Sequence, residues 1–307
     1  MAPTDTVTVD AAALDAAERF VLLNARVIER HRFAHLYRHG PADAVVAALR
    51  AYGNPDGGFG HGLEPDLRGA GSQTEPVAFA LRILHETGGA LDGDAAPGRA
   101  LVREACDWLT TVTTPDGGVP WVLPSVTGSP RGPWWQPAEP LVGALVPTGA
   151  IAGRLHAHGV SHPWLEGASR FCRDRIEDVA DGKPEIGPYD TLAILDFLDG
   201  VPDRDWAEQA FAGASEALLA TVTTDPAATG HVHRPTDMAA TRDGFGRRLF
   251  SDEVIDNHLD LLATAQRDDG GWDLFWEPWA AATVPEWRGH LTIERLKTLR
   301  AYGRWAV

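Results

Sequence analysis

The sequence has few cysteines, few lysines and no long apolar run, and each scarcity excludes a class of protein. Cys106 and Cys172 are too few for a disulfide framework or a four-cysteine zinc site, so a reducing cytoplasm is the expected location. No run of about 18 apolar residues occurs, which argues against a membrane span. The first residues lack a basic region and an apolar core, so no secretory signal is predicted.

Acidic residues outnumber basic ones, 43 to 27, which gives a formal net charge of −16. Only two lysines occur, Lys183 and Lys297. Nucleic-acid binding is not expected, because it requires clustered basic side chains. The 307 residues are 44% hydrophobic and include 11 tryptophans, which is ample for a core. We predict a flexible tail over residues 1–8 and one domain over residues 9–307, with no cofactor.

A turn signature recurs along the chain. Residues 54–60 (NPDGGFG), 115–118 (PDGG) and 266–272 (QRDDGGW) all carry Asp-Gly-Gly, and "TVTT" occurs at residues 111–114 and again at 221–224. The aspartates of successive turns are roughly 45 to 65 residues apart, an irregular period that is typical of two-helix repeats. The aspartates that mark them are Asp56, Asp116, Asp181, Asp225 and Asp269.

Two kinds of helix alternate with these turns. Residues 75–84 and 190–198 are apolar almost all round, which predicts burial on every side, whereas residues 252–266 carry one apolar stripe. About ten to twelve helices are expected, with no strand longer than a few residues. Alternating outer and inner helices favour an all-α fold, an α/α toroid of about five to six helix pairs around a central cavity. An open solenoid is the alternative.

The segment QRDDGGW at residues 266–272 resembles the Q-x-x-D-G-G-W/F repeat of the terpenoid-cyclase and protein-prenyltransferase toroid superfamily. Residues 52–60 and 113–121 are weaker copies. The resemblance implies that the motif joins an outer helix to an inner one and ties repeats together through its Gln and Trp side chains. It implies a short chain with a single toroid, and it says nothing about the reaction.

The proton-donating motif of class II cyclases in this superfamily, Asp-x-Asp-Asp-Thr-Ala, is only partly matched here. The nearest segment is GPYDTLA at residues 187–193, where Asp190 and Thr191 match the last Asp and the Thr. Tyr189 stands where the family has its proton donor, so that route to cyclisation is not expected. The zinc ligands of the prenyltransferases have no recognisable counterpart.

The segment HGLEPD places His61, Glu64 and Asp66 just after the first Asp-Gly-Gly turn. One imidazole and two carboxylates could form an acid–base group or ligand contact at the mouth of a cavity. The alternative is that the two acids cap the next helix, where the exposed N–H groups favour negative charge.

Polar residues also stand where the buried helices begin. Each could cap its helix, and together they could form a polar ring around a small ligand. A carboxyl in a dry cavity can be held protonated, so Glu75 and Asp190 are predicted as candidate acids. The full set is Thr74, Glu75, Thr148, Tyr189, Asp190 and Thr191.

His231 and His233 lie two residues apart in the segment GHVHRPTD, with Asp237 nearby. Alternating histidines on an extended strand can share a metal, although histidines in a loop are more often surface residues. No metal is predicted, and these two histidines are the weak candidates for one.

Aromatic residues form two clusters along the sequence. They could pack turns against helices or form the wall of a cavity, with Trp121, Trp272 and Trp276 as the wall candidates. The members are Trp121, Trp134, Trp135, Trp272, Phe275, Trp276 and Trp279.

Three functions remain open at this point. The first is a cyclase, isomerase or lyase that acts on a terpenoid, polyketide or other lipid-like molecule through acid–base residues. The second is a glycan-active α/α barrel that uses a carboxylate pair such as Glu64 and Asp66. The third is a binding or scaffold protein without catalytic activity. The expected partner is an apolar small molecule.

Overall fold

The computed structural model describes residues 6–88, 96–183 and 185–307, and most of the described chain is helical. Residues 1–5 of the predicted tail lie outside this part. The all-α prediction is confirmed. The described helices are α1 (Ala11–Asn24), α2 (Val27–Arg38), α3 (Ala42–Leu49), α4 (Thr74–Glu86), α5 (Pro97–Val112), α6 (Leu145–Ala157), α7 (Pro163–Ala180), α8 (Pro188–Gly200), α9 (Arg204–Ala220), α10 (Pro235–Met238), α11 (Asp252–Thr264) and α12 (Val284–Ala301).

Two compact units divide the chain. The first consists of residues 1–34 and 219–307, and the second of residues 35–218. Helices α1, α10, α11 and α12 lie wholly within the first unit, and α3 to α8 within the second. Both the single domain over 9–307 and the closed toroid stay predictions. No helix of the described residues is long and apolar enough to span a membrane.

Odd- and even-numbered helices of the second unit pack in two series. Helix α6 contacts α4 and α8, while α5 contacts α3 and α7. The even-numbered α4 and α8 are the helices whose sequences are apolar nearly all round. Most residues of α4 are buried, and so are most of residues 190–198 in α8. Cys106 and Cys172 lie buried in α5 and α7 of the other series. This alternation agrees with a helical repeat.

Helices α6 and α8 approach each other closely because glycine lines their contact. A Cβ atom on Gly149 would lie 2.8 Å from the carbonyl oxygen of Ala193, and one on Gly153 would overlap the carbonyl of Asp196. A Cβ atom on Gly200, at the end of α8, would likewise overlap the backbone of Gly153. No other residue type leaves room for two backbones at this separation, so these glycines fix the packing of α6 on α8.

The three Asp-Gly-Gly turns share one hydrogen-bond pattern. In each, the residue two positions before the aspartate donates its N–H to the carbonyl of the second glycine at 2.9 Å. The aspartate accepts the N–H of that glycine, at 2.9 Å for Asp56, 3.4 Å for Asp116 and 3.0 Å for Asp269. The Asp-Gly-Gly sequence therefore forms the same turn in both units.

Each of these turns also packs against another helix. The first glycine has a φ of +91°, +93° or +94° and lies on the backbone of the receiving helix: Gly57 on Glu104 of α5, Gly117 on Gly167 of α7, and Gly270 on Ala16 of α1. The second glycine faces an aromatic ring four residues further along that helix: Trp108, Phe171 or Phe20. A side chain at either glycine would separate the turn from the helix.

In the first unit, Gln266 strengthens the contact between its turn and α1. Its side-chain amide donates to the carbonyl oxygens of Ala13 and Gly270, both at 2.9 Å. The parallel strands β1 (Val9–Asp10) and β2 (Trp305–Ala306) pair in the same unit, and Val7 contacts Asp260. Residues 9 and 10 are thus ordered by pairing with the C-terminal strand.

Candidate functional site

The segment HGLEPD lies in a loop and does not begin a helix. Helix α4 starts only at Thr74, so the alternative in which Glu64 and Asp66 cap it is wrong. Both carboxyl residues are buried, with 3% of each exposed. His61 is exposed, has a φ of 56°, and its Nε2 atom lies 2.9 Å from Oδ1 of Asn54. Whether this segment faces a cavity, or supplies the carboxylate pair of a glycan-active enzyme, stays a prediction.

The threonines at the helix starts bond to the backbone. The Thr74 hydroxyl donates to the carbonyls of Pro120 and Trp121, at 2.7 and 2.9 Å. The Thr148 hydroxyl donates to Ala144 at 2.7 Å and accepts the Val119 N–H at 3.0 Å. Both threonines are fully buried, and their bonds join α4 and α6 to the segment that follows the turn at residues 115–118.

Asp190 occupies a capping position at the start of α8. Its Oδ2 atom accepts the N–H of Gly187, the N-cap residue, at 2.9 Å. The neighbouring Tyr189 is 47% exposed, and Thr191 is fully buried. Of the two predicted acids, Asp190 therefore has a structural role, which is to cap the start of α8. A catalytic role for it, or a ligand contact for Tyr189 and Thr191, stays a prediction.

Glu75 differs from the other polar residues at helix starts. Part of the residue reaches solvent, but its Oε2 atom is buried and has no hydrogen-bond partner. Burial raises the pKa of the Glu75 carboxyl above its usual range; Arg82 and Arg154 oppose this shift, and Asp196 adds to it. A buried carboxyl that lacks donors favours the protonated form. These features suit Glu75 to hold a proton.

The charged neighbours of Glu75 come from three helices of one series. Arg82 lies two turns along α4, Arg154 is on α6, and Asp196 is on α8. Arg154 forms an ion pair with Asp196 at 2.7 Å and also donates to the carbonyl of Ala150. The guanidinium of Arg82 lies over the ring of Phe79, 4.8 Å from its centroid. The Glu75 carboxyl thus lies in the field of two guanidinium groups, and Arg154 also pairs with Asp196.

These three partners were not predicted as site residues. The available signal was a single arginine in the apolar segment EPVAFALRIL and, in DTLAILDFL, an aspartate in the middle of the apolar run, Asp196. A charged residue in an otherwise buried helix is rarely unpaired, so each implied a partner on a neighbouring helix. One sequence does not show which helices are neighbours, and the group could not be assembled from it.

The predicted aromatic wall residues have different surroundings. Trp272 is 3% exposed, and its ring N–H donates to the carbonyl of Leu262 at 2.8 Å, as expected for packing of the turn. Trp121 is 37% exposed and lies 5.0 Å from the Trp135 ring. Trp276 is half-buried and contacts both Phe275 and Trp287. Trp276 and Trp121 are thus more exposed than Trp272, and a ligand contact for any of the three stays a prediction.

His231 and His233 lie side by side, with their ring centroids 5.6 Å apart. Within residues 6–88, 96–183 and 185–307, no three His, Cys, Asp or Glu side chains are grouped to hold a metal ion. Burial lowers the pKa of His233, although Asp237 opposes this. Asp237 itself pairs with Arg295 and accepts the N–H of Arg234. The aspartate is therefore held by cationic and backbone donors.

The chain is similar to a solved structure but matches no sequence family. No family model matches the sequence, and neither does any curated protein. The fold is similar to that in the crystal structure of a protein from Actinoplanes, with a TM-score of 0.61 and 18% sequence identity. The match covers 95% of this chain and 99% of that one. At this identity the similarity extends to the fold alone.

Proposed function

We propose that the protein is an enzyme that converts an apolar, terpenoid- or polyketide-like small molecule by acid–base chemistry, with Glu75 as the proton donor. The observation that carries the proposal is the buried Oε2 atom of Glu75, which has no hydrogen-bond partner. An unpartnered carboxyl is costly to keep in a folded protein, and such cost is typical of functional sites.

The neighbouring arginines support this role. A neutral carboxyl can protonate an alkene or a carbonyl of the substrate, and it becomes a carboxylate in that step. Arg82 and Arg154 favour that carboxylate, so the charge formed by proton transfer is compensated nearby. When the substrate cation loses a different proton, that proton returns to the carboxylate. Cyclisation, isomerisation and elimination are all compatible with this cycle.

The resemblance to the terpenoid-cyclase toroids is part of the proposal. QRDDGGW forms a turn in which the Gln266 side chain bonds to the α1 backbone, and this supports the resemblance. The cyclase motif lacks its donor at Tyr189, and Glu75 offers a proton from a different helix start. His61 and Glu64 remain candidate bases or ligand contacts within this proposal.

The test is turnover in D2O. Wild-type protein would be incubated with squalene, geranylgeraniol and a long-chain polyene ketone, and the products analysed by mass spectrometry. We expect one substrate to give a product that carries deuterium, and Glu75→Gln to lower the rate by about 100-fold or more. Asp190→Asn is the matched control, because it alters a cap and should lower stability by about 1 kcal/mol with little effect on rate. A Glu75→Gln variant of full activity would contradict the proposal.

A binding protein without catalytic activity is the second candidate. It is favoured by the backbone bonds of Thr74 and Thr148 and by the capping bond of Asp190. In that case, one of the three compounds should raise the unfolding temperature of the wild type and remain chemically unchanged.

A further inference from the structure

His85 and His158 form a close pair of imidazole rings in the second unit. The Nδ1 atom of His85 lies 2.6 Å from Nε2 of His158, and the ring centroids are 4.6 Å apart at an interplanar angle of 71°. His85 is exposed and His158 is half-buried. The two rings are thus in contact through a nitrogen atom of each, at a position that an ion can reach from solvent.

The histidine pair lies where the carboxyl ends of two packed helices meet. His85 is in the last turn of α4, and His158 is the C-cap residue of α6. The two helices pack on each other, and a glycine with positive φ follows each of them, Gly88 at +46° and Gly159 at +59°. A helix carries about half a negative charge at its carboxyl end. Two such ends together favour a cation at the histidine pair.

The nitrogen atoms that face each other can both act as metal ligands. In a neutral pair, one of them donates its ring proton to the other. If the donating ring carries that proton on its second nitrogen instead, both facing nitrogens direct a lone pair to the same region. A metal ion then takes the place of the proton between the rings, and no proton leaves the pair, because only the tautomer changes. Neutral imidazole is the commonest metal ligand among side chains.

The separation of the two nitrogens indicates which metal fits. With metal–nitrogen bonds of about 2.0 Å, two ligands at a tetrahedral angle are about 3.3 Å apart, and two at a right angle are about 2.8 Å apart. The observed 2.6 Å is closer to the right-angle value. Right angles are typical of tetragonal Cu²⁺ and Ni²⁺ sites, whereas Zn²⁺ prefers a tetrahedral site. Cu²⁺ also binds most tightly of the divalent first-row metals.

We propose that His85 and His158 are a binding site for Cu²⁺, in which their facing nitrogens occupy two adjacent corners of a tetragonal site. In the part of the chain that the structure describes, no third His, Cys, Asp or Glu completes a metal-binding group, so water or an external ligand takes the remaining positions. Bound Cu²⁺ links the end of α4 to the end of α6. The proposal does not depend on Glu75, which lies near the other end of α4, about 15 Å from His85 along the helix.

The experiment titrates the full chain, without an affinity tag, with CuCl2 and separately with ZnCl2 at neutral pH. Glycine is present to remove weakly bound Cu²⁺. We expect the wild type to bind one Cu²⁺ per chain, with nitrogen ligands in its EPR spectrum, and to bind Zn²⁺ at least about tenfold more weakly. His85→Gln and His158→Gln should each weaken Cu²⁺ binding by about tenfold or more, since even the outer-shell partners of metal ligands contribute that much.

His231→Gln is the matched control, because it alters a second closely spaced histidine pair, in the first unit. It should leave the Cu²⁺ affinity unchanged. The unfolding temperature of each variant shows whether it is folded, and the exposed His85 decides the result alone if His158→Gln does not fold. The proposal is overturned if the wild type binds no Cu²⁺, if it binds Zn²⁺ as tightly, if His85→Gln binds Cu²⁺ like the wild type, or if His231→Gln weakens binding as much as His85→Gln.

Discussion

Single glycines in the Asp-Gly-Gly turns carry two separate requirements, a left-handed backbone and the absence of a side chain. Gly270 has a φ of +94°, which is unfavourable for any residue with a Cβ atom. It also lies directly against the carbonyl oxygen of Ala16. Gly230 has nearly the same φ, +87°, but a Cβ atom there would have nothing within 4 Å. A comparison of Gly270 with Gly230 therefore separates the effect of backbone strain on stability from the effect of the contact with α1.

We predict that Gly270→Ala lowers the free energy of unfolding by at least about 3 kcal/mol, whereas Gly230→Ala lowers it by about 1 kcal/mol. The difference reports the contact of the turn with α1, because both variants carry the same backbone strain. Urea denaturation of the two variants measures it. Equal losses would show that the turn does not dock on α1 as described.

Glu75 should make stability depend on pH in a characteristic direction. Its pKa in the folded protein is raised above the ordinary value of 4.5, so the unfolded chain ionises first as the pH rises. The contribution of Glu75 to stability is complete below about pH 4.5 and is lost as the pH rises through the folded pKa. The Glu75→Gln variant lacks this loss, because a glutamine side chain cannot ionise.

We accordingly predict that the wild type loses stability relative to Glu75→Gln as the pH is raised from about 4.5 to neutrality. Calorimetric unfolding of both proteins across this range measures the difference. Should the difference stay constant, or favour the wild type more at higher pH, Glu75 would instead be a carboxylate stabilised by Arg82 and Arg154.

At the scale of elements, the pairing of α6 with α8 depends on the absence of side chains at the contact. Gly153 faces the carbonyl of Asp196, and there is no space for a methyl group between the two helices. Gly167, in α7, is also helical, but a Cβ atom there would have nothing within 4 Å. Alanine has the higher helix propensity at both positions, so packing alone should decide between the two outcomes.

We therefore expect the Gly-to-Ala substitution to change the stability in opposite directions at these two positions. Gly153→Ala should destabilise the protein by about 2 kcal/mol or more, because α8 must move. Gly167→Ala should stabilise it by about 0.5 to 1 kcal/mol through helix propensity. Thermal unfolding of both variants tests this. A stabilised Gly153→Ala variant would contradict the close contact of α6 with α8.

The helices were largely predictable because their apolar patterns and their Asp-Gly-Gly turns agree. Segments 75–84 and 190–198, apolar nearly all round, lie within the buried helices α4 and α8. The site was less predictable. The sequence around Asp190 is compatible with either a helix cap or an acid. Only the hydrogen bond from the Gly187 N–H to its side chain identified the capping role. The loop of Glu64 and Asp66 was ambiguous for the same reason, since acids favour both loops and helix starts.

For the whole molecule, the repeated turn connects sequence to architecture. One turn pattern occurs twice in the second unit and once in the first, and each time it packs on the backbone of another helix. This supports a helical repeat, in agreement with the all-α fold shared with the Actinoplanes protein. Partners from separate helices, such as Glu75 with Arg154 and His85 with His158, depend on how repeats stack. That information is absent from the local sequence pattern.

The proposed acid role of Glu75 depends on the raised pKa of its buried carboxyl. The most direct measurement is a pH titration of its side-chain carboxyl carbon by 13C NMR, with the resonance assigned by its absence from Glu75→Gln. We predict a pKa above the ordinary glutamate value, because the effect of burial outweighs that of the two arginines. A pKa at or below that value would show that Glu75 is a carboxylate at neutral pH, and it would remove the proton donor on which the proposed function depends.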